Sequence, residues 1–239
     1  MKVSDYIGAA LARKGVKAVF ELSGGMITHL LDSIYLQGGV RMVSMHHEQG
    51  AAFAADATGR ITGVPGVAMA TSGPGATNLL TGMGSCYFDS SPAVFITGQV
   101  NRNEQKGDRA IRQLGFQETD IVSMVGAITK KAWRVREVED VPGILDQAFV
   151  TAMEGRPGPV LVDIPMDVQR GDLQVGEAAV LRHEPEARPM DAELGALREQ
   201  LRKAKRPLIL AGGGVRSGRA IAQFRAWPWR PAVRGRPIC

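Results

Sequence analysis

Cysteine is scarce in this 239-residue chain, which has only Cys86 and Cys239. Two thiols this far apart form neither a disulfide framework nor a metal-ligand spacing. A cytoplasmic protein with free thiols is the expectation. Aromatic residues are also few, at 5%, and no basic stripe interleaves with them. That speaks against a nucleic-acid surface. No apolar run approaches the roughly 20 residues that a bilayer-spanning helix needs. The segment MKVSDYIGAALARKG lacks the apolar block of a secretory signal, because acids and bases interrupt its helix-spaced apolar positions. Phosphate-binding fingerprints are missing as well. TSGPGATN has Asn78 where GxGxxG needs its third glycine, and no Gly-Lys-Ser/Thr follows. AGGG at 211–214 is no dinucleotide fingerprint by itself. Gly-Asp occurs only in GDR and GDL, so the chain has no Gly-Asp-Gly. His47-Glu48 begins like a zinc-protease helix, but Ala51 stands where the second histidine belongs. No metal site is expected.

What is present is ordinary for a globular chain: 44% hydrophobic and 22% charged residues. The length suits one or two domains with a buried core. The formal charge of +5 is local, since RAWPWRPAVRGRPIC at the end holds four arginines and no acid.

Residues 1–168 read as alternating helices and strands. Helices are predicted over Ser4–Lys14, MITHLLDSIYL, HHEQGAAFAADATGR, ATNLLTGMGSCYF and VPGILDQAFVTAME. Strands are predicted at AVFEL, RMVSM, VAMAT, AVFITG and PVLVDIP. Continuously apolar strands separated by helices imply a parallel sheet covered on both faces. Glycine turns follow several strands, and in open α/β sheets the ligand crevice lies at those ends. A proline-dotted linker is expected over 169–189. A second α/β unit then begins over 190–225, with helix DAELGALREQLRKAKR, strand and glycine turn PLILAGGG, and helix start GRAIAQFRA. Residues 226–239 fit neither period and read as foreign to the fold, from a shifted or truncated reading frame. The alternative is a flexible extension.

Each motif has a plain reading. TSGPGATN makes a tight strand-to-helix turn whose glycines also let backbone approach a ligand. Glu48 is placed to complement the positive end of a helix dipole. FDSSPAVFITGQV, GFQETDIV and GRPGPVLVDIP read singly as turn chemistry.

Together and in order, HHEQGAAFAADATGR, TSGPGATNLLTG, YFDSSPAVFITGQV, GFQETDIV and GRPGPVLVDIP resemble the pyrimidine-binding domain of thiamine diphosphate enzymes. The similarity is strongest to acetolactate synthase large subunits. It covers residues 1–165, and less specifically reaches Arg225. The resemblance implies that Glu48 hydrogen-bonds N1′ of the cofactor's aminopyrimidine and favours its imino form, which then takes the thiazolium C2 proton. A 2-keto acid such as pyruvate would be decarboxylated and its two-carbon fragment passed to a second keto acid. It further implies that Gly24 and Gly25 lie near the pyrimidine, that Pro74 and Asn78 line the same half, and that Phe116 and Gln117 point into a neighbouring subunit's active site. Arg156, with residues 212–214, matches positions that contact FAD where the family keeps it. A homodimer or homotetramer is implied for the full-length family.

Three departures stand out. Ser23 replaces the usual proline before the double glycine, Met166 replaces a lysine, and the NRNEQKGDRAIRQL loop is long. They leave open other thiamine-dependent keto-acid decarboxylases or lyases. The family holds diphosphate and Mg2+ through a C-terminal Gly-Asp-Gly…Asn motif, so these residues are expected to carry half of a cofactor site. A non-catalytic binding or assembly fragment is the alternative from another class.

Overall fold

The computed structural model describes residues 1–174 and 190–227. The chain divides into two compact units, Met1–His183 and Glu184–Cys239.

The first unit is built on six parallel strands in the order β2-β1-β3-β4-β6-β5. These are β1 (Ala18–Glu21), β2 (Arg41–Ser44), β3 (Gly66–Ala70), β4 (Ala93–Gln99), β5 (Lys131–Arg134) and β6 (Pro159–Pro165). Helices α1 (Val3–Arg13), α2 (Thr28–Gln37), α3 (Glu48–Thr62), α4 (Pro74–Asn78), α5 (Leu80–Asp89), α6 (Ile121–Val125), α7 (Asp140–Met153) and α8 (Met166–Arg170) complete it. The strand alternation sorts the core into two layers. Val67, Met69, Val94, Ile96, Val160 and Val162 meet α1, α2 and α7 on one face. Ala68, Ala70, Phe95 and Leu161 meet α3, α5 and α6 on the other. Strands buried on both sides read as continuous apolar runs for this reason. Each large side chain fully enclosed this way contributes roughly 1.5–3 kcal/mol.

The face under α3 is built small. Ala51, Ala52 and Ala55 pack on Ala68 and Ala70. A methyl carbon added at Gly66 would lie 1.9 Å from the Ala55 carbonyl oxygen. The helix therefore sits directly on β3, and its N-terminus is fixed to the sheet edge.

The expected parallel sheet with helices on both faces is present. Three elements of the first unit went unread in the sequence, β5, α6 and α8. The single helix expected over 76–88 is two, α4 and α5, meeting at the buried Leu79. Residues 169–173, assigned to a linker by composition, pack with the first unit. Gln169 is fully buried and its Nε2 donates to the carbonyls of Met26 and Ile164 at 2.8 and 2.9 Å. Leu173 exchanges backbone hydrogen bonds with Met1.

In the second unit α9 (Asp191–Lys203), α10 (Gly214–Ser217) and α11 (Ile221–Ala226) form. The strand expected at PLILAGGG does not. Leu208 and Leu210 stay exposed, and among the described residues of this unit no strand offers a ladder to pair with. Most of the expected linker (175–189) and of the expected foreign tail (228–239) lies outside the described residues. Among the described residues no helix is long and apolar enough to cross a membrane.

Candidate active site

Strand order locates the site. The chain passes from β1 to β2 on one side, and β3 lies on the other side of β1. The crevice at such a reversal, beyond the carboxyl ends of the strands, is where open α/β sheets bind ligands. Here the segments after β1, β2 and β3 carry Gly24 and Gly25, Glu48, and Thr71–Asn78, respectively.

Glu48 is the first residue of α3 and is buried. Capping falls to its neighbour: His47 Nδ1 accepts from the Gln49 N–H at 3.0 Å. The Glu48 carboxyl is thereby left to other work. Asn78 Nδ2 donates to Glu48 Oε2 at 2.9 Å. The other oxygen, Oε1, faces Gly75, where an added methyl carbon would lie 3.2 Å from it. One amide thus sets the carboxyl's orientation, and glycine backbone walls its second oxygen.

Thr71 joins the two turns of the site. Its Oγ1 accepts from the Met26 N–H at 3.1 Å. Its side chain fills the space where a methyl carbon on Gly24 or on Gly75 would fall, at 2.5 and 2.7 Å. Sequence reasoning quoted Thr71 within its motif but gave it no role. A lone threonine ending an apolar strand carries no distinguishing signal.

The turn after β1 is held without the proline expected there. Ser23 Oγ donates to Glu21 Oε2 at 3.1 Å, and Ser44 Oγ donates to the other Glu21 oxygen. Glu21 is fully buried, so both hydroxyls answer an acid inside the sheet edge. Gly25 is open to solvent, and an added methyl there would meet nothing.

Pro74 starts α4 and is exposed. Before it, Gly73 adopts φ +67° and ψ −133°, a conformation that only glycine takes without strain. A methyl carbon there would also strike Gln117 Cβ at 2.7 Å. Gln117 is thereby brought against the TSGPG turn, and Phe116 beside it is largely exposed. Arg156 is not brought into this group. It precedes β6, at the opposite end of the parallel sheet, and its Nε donates to Ser90 Oγ at 2.6 Å.

At the carboxyl ends of β4 and β6 lies a buried acid that sequence reading missed. Asp163 is fully enclosed. Thr97 Oγ1 donates to its Oδ1 at 2.7 Å and Gln99 Nε2 to its Oδ2 at 3.1 Å. Burial outweighs these bonds and pushes its carboxyl up to about 6. The folded state therefore holds this proton more tightly than the unfolded chain. Asp163 favours folding fully below pH 3.8, and that contribution is lost as pH rises through about 6. Asp56, Asp120 and Asp167 are shifted the other way, so the comparison is made against Asp163→Asn. Between pH 4 and 7 the stability of the native protein should fall by roughly 2.4 kcal/mol relative to that variant in urea titrations. A constant difference would refute the assignment.

Among the described residues no three of His, Cys, Asp and Glu gather as a metal site would require.

Fold and site together define an α/β domain with one acid held over a glycine-walled crevice. Residues 1–124 match the family described as thiamine pyrophosphate enzyme, N-terminal TPP binding domain, and the chain belongs to that family. It is similar to the acetolactate synthase isozyme 2 large subunit of Escherichia coli (strain K12), at 42% identity over 227 residues. It is 43% identical over 225 residues to the acetolactate synthase large subunit of Parasynechococcus marenigrum, and 39% over 224 to the chloroplastic acetolactate synthase of Arabidopsis thaliana. These alignments cover 94%, 90% and 89% of this chain. They span only 40%, 35% and 32% of the respective relatives.

Proposed function

We propose that this chain supplies the pyrimidine-binding half of an acetolactate-synthase-like enzyme that decarboxylates a 2-keto acid such as pyruvate and joins the fragment to a second keto acid. The observation that carries the reading is the Glu48 carboxyl, buried at the switch point and held on one oxygen by Asn78. The residues suit an aminopyrimidine: one acid to exchange a proton with a ring nitrogen, and glycine backbone in place of bulky walls. Thiamine diphosphate, when bound, supplies the electron sink that lets the keto acid lose carbon dioxide.

The chain's own residues do the rest. Glu48 holds and moves the proton at N1′ of the ring, with its orientation set in advance by Asn78. Thr71 fixes the 24–26 turn beside the same acid. Gly73 and Gly75 keep the backbone close, and Phe116 and Gln117 border the keto-acid side. Mg2+ belongs with the diphosphate, on residues outside these 239. FAD at Arg156 rests on the resemblance to the family.

Replacing the matching segment of the Escherichia coli relative with this first unit should give a hybrid that converts pyruvate to acetolactate. The purified 239-residue chain, given thiamine diphosphate and Mg2+, should stay at the no-enzyme background. Robust turnover by the chain alone would overturn the half-site reading. A properly folded hybrid that is inert would overturn the assigned activity.

A second reading, an assembly module, is favoured by one feature. α3 and α5 expose Phe53, Ile61, Tyr87 and Phe88. Such a concentration of large apolar side chains suits a subunit contact, and the homodimer or homotetramer implied for the full-length family would cover it. The two readings are compatible, since a half-site needs a complementing surface.

A further inference from the structure

We propose that Gln99, oriented by Asp163, is a positioning residue that holds the Phe116–Gln117 loop against the Gly73 turn. What that loop does rests on the function proposed above; the strut itself does not.

Every hydrogen-bonding atom of the Gln99 side chain is committed. Oε1 accepts from the Val100 N–H at 3.1 Å. Nε2 donates to Asp163 Oδ2 at 3.1 Å and to the Thr119 carbonyl at 2.7 Å. The amide has one workable orientation, because turning it over would set its oxygen against two acceptors. Asp163 therefore selects the orientation in which Gln99 grips Thr119. The acid sits on β6, the amide on β4, and the tethered carbonyl in the loop, so two central strands anchor one loop.

The loop needs such an anchor. Gln117 sits at φ +59°, a left-handed conformation that costs a non-glycine residue of order 1 kcal/mol or more and persists only where surroundings enforce it. Its side chain also packs at Gly73. The adjacent Glu118 accepts from the N–H groups of Lys106 and Leu114, both at 2.8 Å. The long 101–114 connection is thereby fastened to the same point. Gly115 N–H donates back to the Glu104 carbonyl at 2.8 Å. One tether at Thr119 thus serves both the Gln117 contact and the loop that precedes it. Arg134, the register partner of Asp163 on β5, pairs with Asp120, and both charges act on Asp163.

Hydrogen–deuterium exchange on the full chain, without ligand, tests this. Gln99→Met removes the tether, and Asp163→Leu removes the acceptor that orients it. Both should speed exchange of amides 115–120 by at least about tenfold while β3 and β4 stay protected. Asp163→Asn retains an acceptor for Gln99, and Thr97→Val removes a bond that the tether does not use. Both should leave the loop within about twofold of the native protein. If Asp163→Leu fails to fold, Gln99→Met decides. Unchanged loop exchange in Gln99→Met would overturn the proposal, as would equal loosening in Thr97→Val. No cofactor enters the measurement, so its failure is separable from failure of the thiamine reading.

Discussion

Replacing Glu48 with glutamine in the hybrid enzyme should slow exchange of the thiazolium C2 proton by about 10²- to 10⁴-fold. Glutamine keeps the length and can still meet Asn78, but it cannot carry a proton to and from a ring nitrogen. The acid is buried and is not spent on capping its helix, which supports that proposed role. A surface cap would be satisfied by the N–H groups of its own helix. Here His47 takes the cap, and Glu48 is turned toward Asn78 and Gly75. The measurement is proton exchange on thiamine diphosphate followed by NMR after rapid quenching. Exchange within about twofold of the native hybrid would show that Glu48 is structural.

Gly66→Ala should be among the most damaging single methyl additions in the first unit, costing roughly 3 kcal/mol or more of stability. The added carbon would lie 1.9 Å from the Ala55 carbonyl oxygen, 2.6 Å from its carbon and 2.8 Å from its Cα. All three are backbone atoms, so no side-chain rotation relieves the clash. α3 must lift from β3 or shift along it. Because Glu48 begins that helix, the same change should also weaken its contact with Asn78. Denaturant titration of the 239-residue chain measures the first effect. A loss below about 1 kcal/mol would mean that α3 rides more loosely on the sheet than its small-residue face implies.

These two changes show why parts of the fold were readable in the sequence. β3, β4 and β6 are buried on both sides, so their residues are mostly apolar, broken only by Thr97 and Gln99 near the end of β4 and by Asp163 in β6, and helical spacing separates them. β5 lies at the sheet edge and reads Lys-Ala-Trp-Arg. Its four residues carry neither alternation nor an apolar run, and only pairing with β6 makes them a strand. PLILAGGG fails in the opposite sense. Its apolar residues look like a strand, but a strand is a pairing, and the described residues supply no partner.

The site divides along similar lines. Glu48, Pro74 and Asn78 lie in motifs whose order along the chain carries the resemblance. Thr71, Gln99 and Asp163 act through contacts between segments 20 to 66 residues apart, and no local pattern announces those. Ser23 stands where the family usually has a proline. The structure shows its hydroxyl answered by Glu21, a buried acid that the apolar strand around it concealed.

Thiamine diphosphate is proposed to meet this chain at the Glu48 crevice. Titrating the 15N-labelled chain with millimolar thiamine diphosphate tests it directly. Amide shifts should concentrate at Gly24, Gly25, Glu48 and Gly73–Asn78, with smaller changes at Gln117, and should disappear in Glu48→Ala. Saturable binding that leaves those amides unmoved, or that persists unchanged in the variant, would contradict the account.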